Sequence, residues 1–410
     1  MRIGKMREAE GMPHDEDNIP VSDVVDHALT NGGGVVESGL PPVALILGDC
    51  PVRLWGMTSA ERLRRSLNRA GVAEVQPWKG VVLPGRRHLL VRDDHVYDAV
   101  LIADLARAGD TVLTTDTGRP VAANVSAEAV DTAVALLTEG GPIPEGLRAV
   151  DPGTLSSAYN NALRKREAPY LVPLTPETLP AVERRMFAGS YKGVTDVVTK
   201  YVWPAPALRV TRWCAERGIT PNAVTWLSLV LVLLAMAAFW HGWFLSGLAM
   251  AWGMTFLDTV DGKLARVTLT STKLGNVFDH GIDLIHPPFW YWAWTIGLGA
   301  VGLPLAEAWL VLAVVIGGYI LQRVQEGLFI ALFKLEIHIW RRFDSRFRLI
   351  TARRNPNLIL LTLGALAGRP DVGMLAVAVW TVASLAVHTV QIVQALAARR
   401  RGPLVSWLAQ

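Results

Sequence analysis

The chain has 410 residues, of which 51% are hydrophobic, a mean hydropathy of +0.30 and a formal net charge of +4. Thirteen of its fifteen tryptophans lie at or beyond Trp203, which excludes a uniformly soluble protein and divides the chain into a soluble first part and a membrane second part. Two distant cysteines, Cys50 and Cys214, exclude a disulfide framework and a cysteine-based zinc site.

Residues 1–40 are polar and aperiodic, with Gly32-Gly33-Gly34 resembling a linker, and are expected to form a disordered tail. They contain no apolar core of a signal peptide, so the N-terminus is expected to stay in the cytoplasm. From 41 to 155 the pattern changes. Val43–Leu47 reads as a buried strand ending at Gly48-Asp49, and residues 58–71 show helical spacing with Leu63 and Leu67 on one face. Strand-like runs at 88–91 and 111–114 alternate with helical stretches at 96–107 and 127–138. This alternation predicts a small α/β domain with a largely parallel sheet.

Residues 156–218 are basic, and Tyr201, Trp203 and Trp213 are interleaved with Lys200, Arg209, Arg212 and Arg217. Cations beside aromatic anchors suit helices lying at the headgroup level of an anionic leaflet, the alternative being ordinary solvated linker helices. Apolar stretches then follow at 222–241, 243–263, 277–300, 303–333, 355–368 and 372–396. They predict a six-helix membrane domain over 219–400, followed by a short tail at 401–410. The 334–354 connection carries seven cations, including Arg341, Arg348, Arg353 and Arg354, whereas the opposite connections hold only Arg369. Retention of positive charge on the cytoplasmic side places both termini and the basic loops there.

Four carboxylates fall at the cytoplasmic ends of two of these apolar stretches: Asp258, Asp261, Asp279 and Asp283. An aspartate near hydrocarbon costs a few kcal/mol and is rare without a function (about 3 kcal/mol on insertion scales). Spacings of i,i+3 and i,i+4 put each pair on one helix face. Two such faces turned together repel unless cations compensate, and hard oxygen ligands suit Mg²⁺ or Mn²⁺. Gly262, Ala265 and Gly275 leave room for close approach to the backbone, while Lys263 and Arg266 offer charge to phosphate oxygens. One such aspartate would read as a helix cap; four at this spacing do not.

The run D-x2-D-G-x2-A-R-x8-G-x3-D-x3-D, from Asp258 to Asp283, resembles the signature of the CDP-alcohol phosphotransferases. Thr220-Pro221-Asn222-Ala223-Val224-Thr225 resembles that family's lead-in to its first span. The resemblance implies that an alcohol attacks the β-phosphate of a CDP-alcohol, releasing CMP and forming a phosphodiester in phospholipid biosynthesis. It further implies two Mg²⁺ or Mn²⁺ ions on Asp258, Asp261, Asp279 and Asp283, with Asp283 also the general base. Gly262, Ala265, Arg266 and Gly275 would contact the CDP moiety. The implied partners are a CDP-alcohol donor, an alcohol acceptor, membrane lipids and a second copy of the chain, with no nucleic acid.

Beside the motif, His280 reads either as a proton-transfer assistant, as in a choline/ethanolamine branch, or as a hydrogen-bond donor to a ligand. Arg323 either pairs with Glu326 inside the bundle or binds an acceptor phosphate. His286-Pro287-Pro288 is expected to kink the third span. His388, Gln391 and Gln394 either line the cavity or bond neighbouring helices. The 41–155 domain resembles a nucleotidyltransferase, but the loop Gly48-Asp49-Cys50-Pro51-Val52-Arg53 lacks the glycine series that cradles a triphosphate. It therefore reads as inactive. Two other readings stand beside the transferase: a bifunctional enzyme that also makes its CDP-alcohol, and a non-enzymatic scaffold or cation transporter.

Overall fold

The computed structural model describes residues 42–157, 159–160 and 164–409, so the expected tail at 1–40 lies outside the described residues. The α/β domain is built on a six-stranded sheet. Its strands are β1 (Val43–Leu47), β2 (Val75–Pro77), β3 (His88–Arg92), β4 (Thr111–Thr114), β5 (Pro120–Val125) and β6 (Arg148–Val150), in the order β2-β1-β3-β5-β4-β6. β1 runs parallel to β2 and β3, and β4 parallel to β6, but β5 is antiparallel to both its neighbours. The sheet is thus mixed rather than largely parallel. The reason is length: residues 115–119 between β4 and β5 make a hairpin, whereas a parallel crossover needs a dozen residues or more.

Three helices cover this sheet: α1 (Ser59–Arg69), α2 (Ala99–Arg107) and α3 (Val130–Glu139). The Thr58 hydroxyl caps α1 by accepting from the Glu61 N–H, and Leu63 and Leu67 are buried as their spacing requires. Leu101, Ile102 and Leu105 of α2 join them on one face of the sheet, while Val130, Ala133, Leu136 and Leu137 of α3 fill the other.

The basic segment holds α4 (Leu179–Gly189) and α5 (Pro204–Glu216). Val182, Met186 and Phe187 of α4 are buried, as are Ala207 and Cys214 of α5. Tyr201 and Trp213 are exposed, with Lys200 over the Tyr201 ring and Arg217 over the Trp213 ring.

Among the described residues, six long helices follow, with a short one at Arg342–Phe347 between the fourth and fifth: α6 (Pro221–Trp240), α7 (Phe244–Val267), α8 (Lys273–Ala300), α9 (Ala308–Phe333), α10 (Arg354–Leu366) and α11 (Pro370–Arg399). Proline at the first position of α6 and a Thr220 hydroxyl accepting from the Ala223 N–H at 3.2 Å start the first of them. Among the described residues, three helices are long and apolar enough to cross a membrane: α6, α9 and α11. α7 and α8 have the length, at 24 and 28 residues, but include the charged motif. α10 has only 13 residues, about 20 Å of helix against a hydrocarbon core of about 30 Å.

The helices close around Phe239, Leu248, Met254, Trp290, Trp294, Leu361 and Met374. α8 continues helically through Pro287 and Pro288. Each proline lacks the N–H that would satisfy the carbonyl four residues earlier, at Asp283 and Leu284. The Tyr319 hydroxyl of α9 lies 3.0 Å from the Leu284 carbonyl oxygen and 3.5 Å from that of Asp283, so a neighbouring helix serves the orphaned acceptors. His286 is spent similarly, its Nδ1 lying 2.7 Å from the Ile282 carbonyl oxygen.

Candidate active site

α7 and α8 meet at the ends that carry the motif. Thr272 caps α8 by accepting from the Gly275 N–H at 3.0 Å, which fixes where the second acidic pair begins. Asp258, Asp261 and Asp279 converge, each offering a carboxylate oxygen within 4.8 Å of the others. Asp261 is 3% exposed. Its Oδ2 accepts from the Thr225 hydroxyl at 2.6 Å, while its Oδ1 is buried with no hydrogen-bond partner among the described residues. A buried carboxylate oxygen left open beside two further carboxylates is what a bound cation would satisfy. The donor set, all hard oxygen, fits Mg²⁺ or Mn²⁺.

Asp283 is placed differently from the other three. Its Oδ1 accepts from Arg354 Nη1, and the Nη2 of the same guanidinium donates to Asp258 Oδ2. Arg354, at the start of α10, therefore bridges the two helix faces. By its position in the sequence it is one more cation of the 334–354 connection. Its partners lie 71 and 96 residues away, beyond any local pattern. Thr225, part of the lead-in to the first span, orients Asp261 through its hydroxyl.

The other expected site residues divide. Arg266 folds back over Gly262, where an added Cβ would stand 3.1 Å from Nη2, and its Nε is buried without a partner among the described residues. Ala265 is half-buried beside them. Gly275 already has a packing role: a Cβ there would meet Asn222 Oδ1 at 2.8 Å and Thr272 Oγ1 at 2.9 Å. Lys263 turns away from the carboxylates. It is buried, donates to the Ser190 carbonyl at 3.2 Å and lies 3.4 Å from the centre of the Tyr191 ring. His280 is 76% exposed, with Nδ1 3.9 Å from Asp279 Oδ2.

Arg323 pairs with Glu326 at 3.2 Å, and Glu326 also accepts from Arg353 and lies 3.3 Å from His338 Nε2. Gln391 and Gln394 bond neighbouring segments through Asp344 at 2.9 Å and Arg341 at 2.7 Å. His388 is buried against the His338 ring.

The acid pair at the end of β3, Asp93 and Asp94, is spent on structure. Asp93 Oδ2 accepts from the Cys50 N–H at 2.8 Å, and a Cβ on Gly48 would stand 2.3 Å from Asp93 Oδ1. Burial pushes the Asp93 carboxyl up. Asp94 accepts from both Arg92 and His95. Burial opposes ionisation there too, but those hydrogen bonds hold the Asp94 carboxyl well below the usual carboxylate range.

Residues 218–332 match the family model of the CDP-alcohol phosphatidyltransferases. The chain is 30% identical over 132 residues to cholinephosphotransferase 1 of Gallus gallus, covering 30% of this chain and 39% of that protein. It is 39% identical over 79 residues to the archaetidylinositol phosphate synthase of Pyrococcus horikoshii, covering 19% of this chain and 42% of that protein. With the bifunctional IPC transferase and DIPP synthase of Rubrobacter xylanophilus it shares 27% identity over 215 residues, covering 51% of this chain and 45% of that protein. The chain thus spans less than half the length of each of these relatives.

Proposed function

We propose that this chain, a member of the CDP-alcohol phosphatidyltransferase family through residues 218–332, transfers a phosphoalcohol or phosphatidyl group from a CDP-alcohol to an acceptor hydroxyl and releases CMP. The observation that carries this reading is the convergence of Asp258, Asp261 and Asp279 within 4.8 Å, with one buried Asp261 oxygen left open.

Asp258, Asp261 and Asp279 would hold two Mg²⁺ or Mn²⁺ ions, with Asp283 contributing to the second. When bound, such ions neutralise the charge that develops on the CMP leaving group. Arg266 takes a phosphate oxygen of the donor, helped by the small Gly262 and Ala265, with Gly275 supporting the helix approach beneath. Asp283, oriented by Arg354, accepts the proton of the attacking hydroxyl as the new phosphorus–oxygen bond forms and the bond to CMP breaks. His280, exposed beside Asp279, relays that proton or donates to the ligand carboxylate. Arg323, held by Glu326 near the Asp283 end of α8, is the candidate contact for an acceptor bearing a phosphate.

We place six membrane passes over 219–400, α10 being completed by its flanks, with the active site and both termini on the cytoplasmic side. The 156–218 segment lies at the headgroup level, the 41–155 domain is catalytically silent, and the working unit is a homodimer. The spent Asp93 and Asp94 favour the silent reading over a bifunctional enzyme. CTP-dependent pyrophosphate release would reverse that preference.

The test uses purified chain in lipid nanodiscs with Mn²⁺. CDP-diacylglycerol and CDP-linked polar alcohols are supplied with lipid and polar acceptors, and the products are read by mass spectrometry. CMP together with a new phosphodiester is expected for at least one pair. No CMP from any donor would sink the transferase reading in favour of a scaffold or transporter.

A further inference from the structure

A domain whose Asp93 and Asp94 are engaged in structure still makes close contact with the aspartate helix. α1 directs two guanidinium groups at the end of α7: Arg62 Nη1 donates to the Val267 carbonyl at 2.6 Å, and Arg65 Nη1 donates to the Thr268 carbonyl at 2.7 Å. Val267 is the last residue of α7 and Thr268 its cap. The last carbonyls of a helix have no partner within it and carry the negative end of its dipole, so two cations there are matched in both hydrogen bonding and charge. The carbonyls just before these two are already taken, that of Ala265 by the Thr270 N–H at 3.0 Å and that of Leu264 by the Thr268 hydroxyl at 2.6 Å, so the two arginines serve the last ones. Leu269 follows in the left-handed region at φ 55°, a position that glycine ordinarily fills. Arg65 is itself fixed from below, its Nη2 lying 2.5 Å from Glu61 Oε1.

The contact extends beyond the two arginines. Leu54, Trp55 and Met57 share one buried cluster with Val260, Leu264 and Val267 of α7. Gly56, at φ 74°, comes so close to α5 that a Cβ would stand 2.6 Å from the Ala215 carbonyl oxygen. The Trp55 N–H donates to Glu183 at 3.3 Å, and Glu183 pairs with Arg212 of α5 at 2.6 Å. The grip falls on the half of α7 that bears the motif. Val267 lies six residues beyond Asp261, about 9 Å along the helix. Residues 268–272 lead directly into α8 and Asp279, so the arginines hold the joint between the two acidic faces.

We propose that the α/β domain is a positioning element of the transferase: Arg62 and Arg65 clamp the C-terminal end of α7 and so set where Asp258 and Asp261 meet Asp279. The inference rests on the metal-site reading above, and it gives a catalytically silent domain a reason to remain attached to the membrane domain.

The test compares full-length chains in nanodiscs. Arg62→Met/Arg65→Met removes both donors and charges but keeps the apolar stems, and Arg62→Lys/Arg65→Lys restores a cationic donor. Arg64→Met, exposed on the same helix, is the control. Mn²⁺ affinity is read by electron paramagnetic resonance, with kcat and KM for CMP release measured beside it. The methionine pair is expected to lose about tenfold to a hundredfold in Mn²⁺ affinity, with kcat falling more than the donor KM changes, and the lysine pair to regain most of it. Should the methionine pair not purify as a folded chain, the single Arg62→Met and Arg65→Met variants are read in the same way, each expected to lose about threefold to tenfold.

Methionine variants that match Arg64→Met in Mn²⁺ affinity and kcat would overturn the clamp. A folded lysine pair no better than the methionine pair would overturn it as well. Failure of the metal reading is separately visible, as wild-type chain that binds no Mn²⁺ or Asp261→Asn that turns over normally.

Discussion

Acidic residues gather at two places, at the end of β3 and across the facing ends of α7 and α8. At the first, Asp93 takes the Cys50 N–H, and Asp94 takes Arg92 and His95. At the second, three carboxylates converge within 4.8 Å and a buried Asp261 oxygen has no partner among the described residues. Carboxylates whose lone pairs are already used by neighbouring donors have little left for a ligand. Carboxylates that converge with a lone pair unused carry a cost that only a cation or a proton can remove. The contrast therefore rests on satisfied versus unsatisfied oxygen atoms rather than on the number of aspartates.

The sharpest way to break this contrast is to remove a carboxylate from the converging set. Asp261→Asn should cut CMP release by about 10³-fold, near 4 kcal/mol of transition-state stabilisation, as measured in nanodiscs with saturating Mn²⁺. A variant retaining a tenth of wild-type turnover would deny that the open oxygen matters. Next comes Asp283→Asn, expected to lower kcat by about 10² to 10⁴ while CDP-alcohol binding stays measurable by calorimetry. If binding vanished together with turnover, Asp283 would serve to hold the donor and its metal rather than to act as the base.

Arg354→Gln leaves every carboxylate present but removes the bridge between the faces. A loss of about tenfold to a hundredfold in Mn²⁺ affinity or turnover is expected, and an unchanged enzyme would make the bridge incidental. Thr225→Val, which removes one hydrogen bond to Asp261, should cost about tenfold in Mn²⁺ affinity. At the other end of the scale, Asp131→Asn, an exposed position on α3, should leave CMP release within about twofold of wild type, since surface changes away from a site have small effects. A large loss there would mean that the α/β domain bears on the reaction by a route other than the Arg62 and Arg65 contacts.

How much of this was legible before the fold was known depended on the range of the interaction. The i,i+3 and i,i+4 spacing of the aspartates is a local property, and helical geometry alone predicts their shared faces. Leu63 and Leu67 were readable in the same way. The role of Arg354 was not, because it depends on two partners distant in sequence, and by composition Arg354 looked like one more loop cation. Lys263 illustrates the reverse error. Its place inside the motif suggested a phosphate contact, but its side chain leaves the helix toward Ser190 and Tyr191, which pack against it from the linker. The mixed sheet was missed because alternation of strand and helix weighs a short hairpin connection no differently from a long crossover. Six membrane passes were expected from apolar stretches, of which three helices meet the requirement by length and composition.

The most direct test of the central claim is a Mn²⁺ titration of the purified full-length chain followed by electron paramagnetic resonance, in wild type and in Asp261→Asn. Bound Mn²⁺ in the wild type, with loss of that signal in the variant, is the predicted result. Equal binding in the two chains, or none in the wild type, would contradict it.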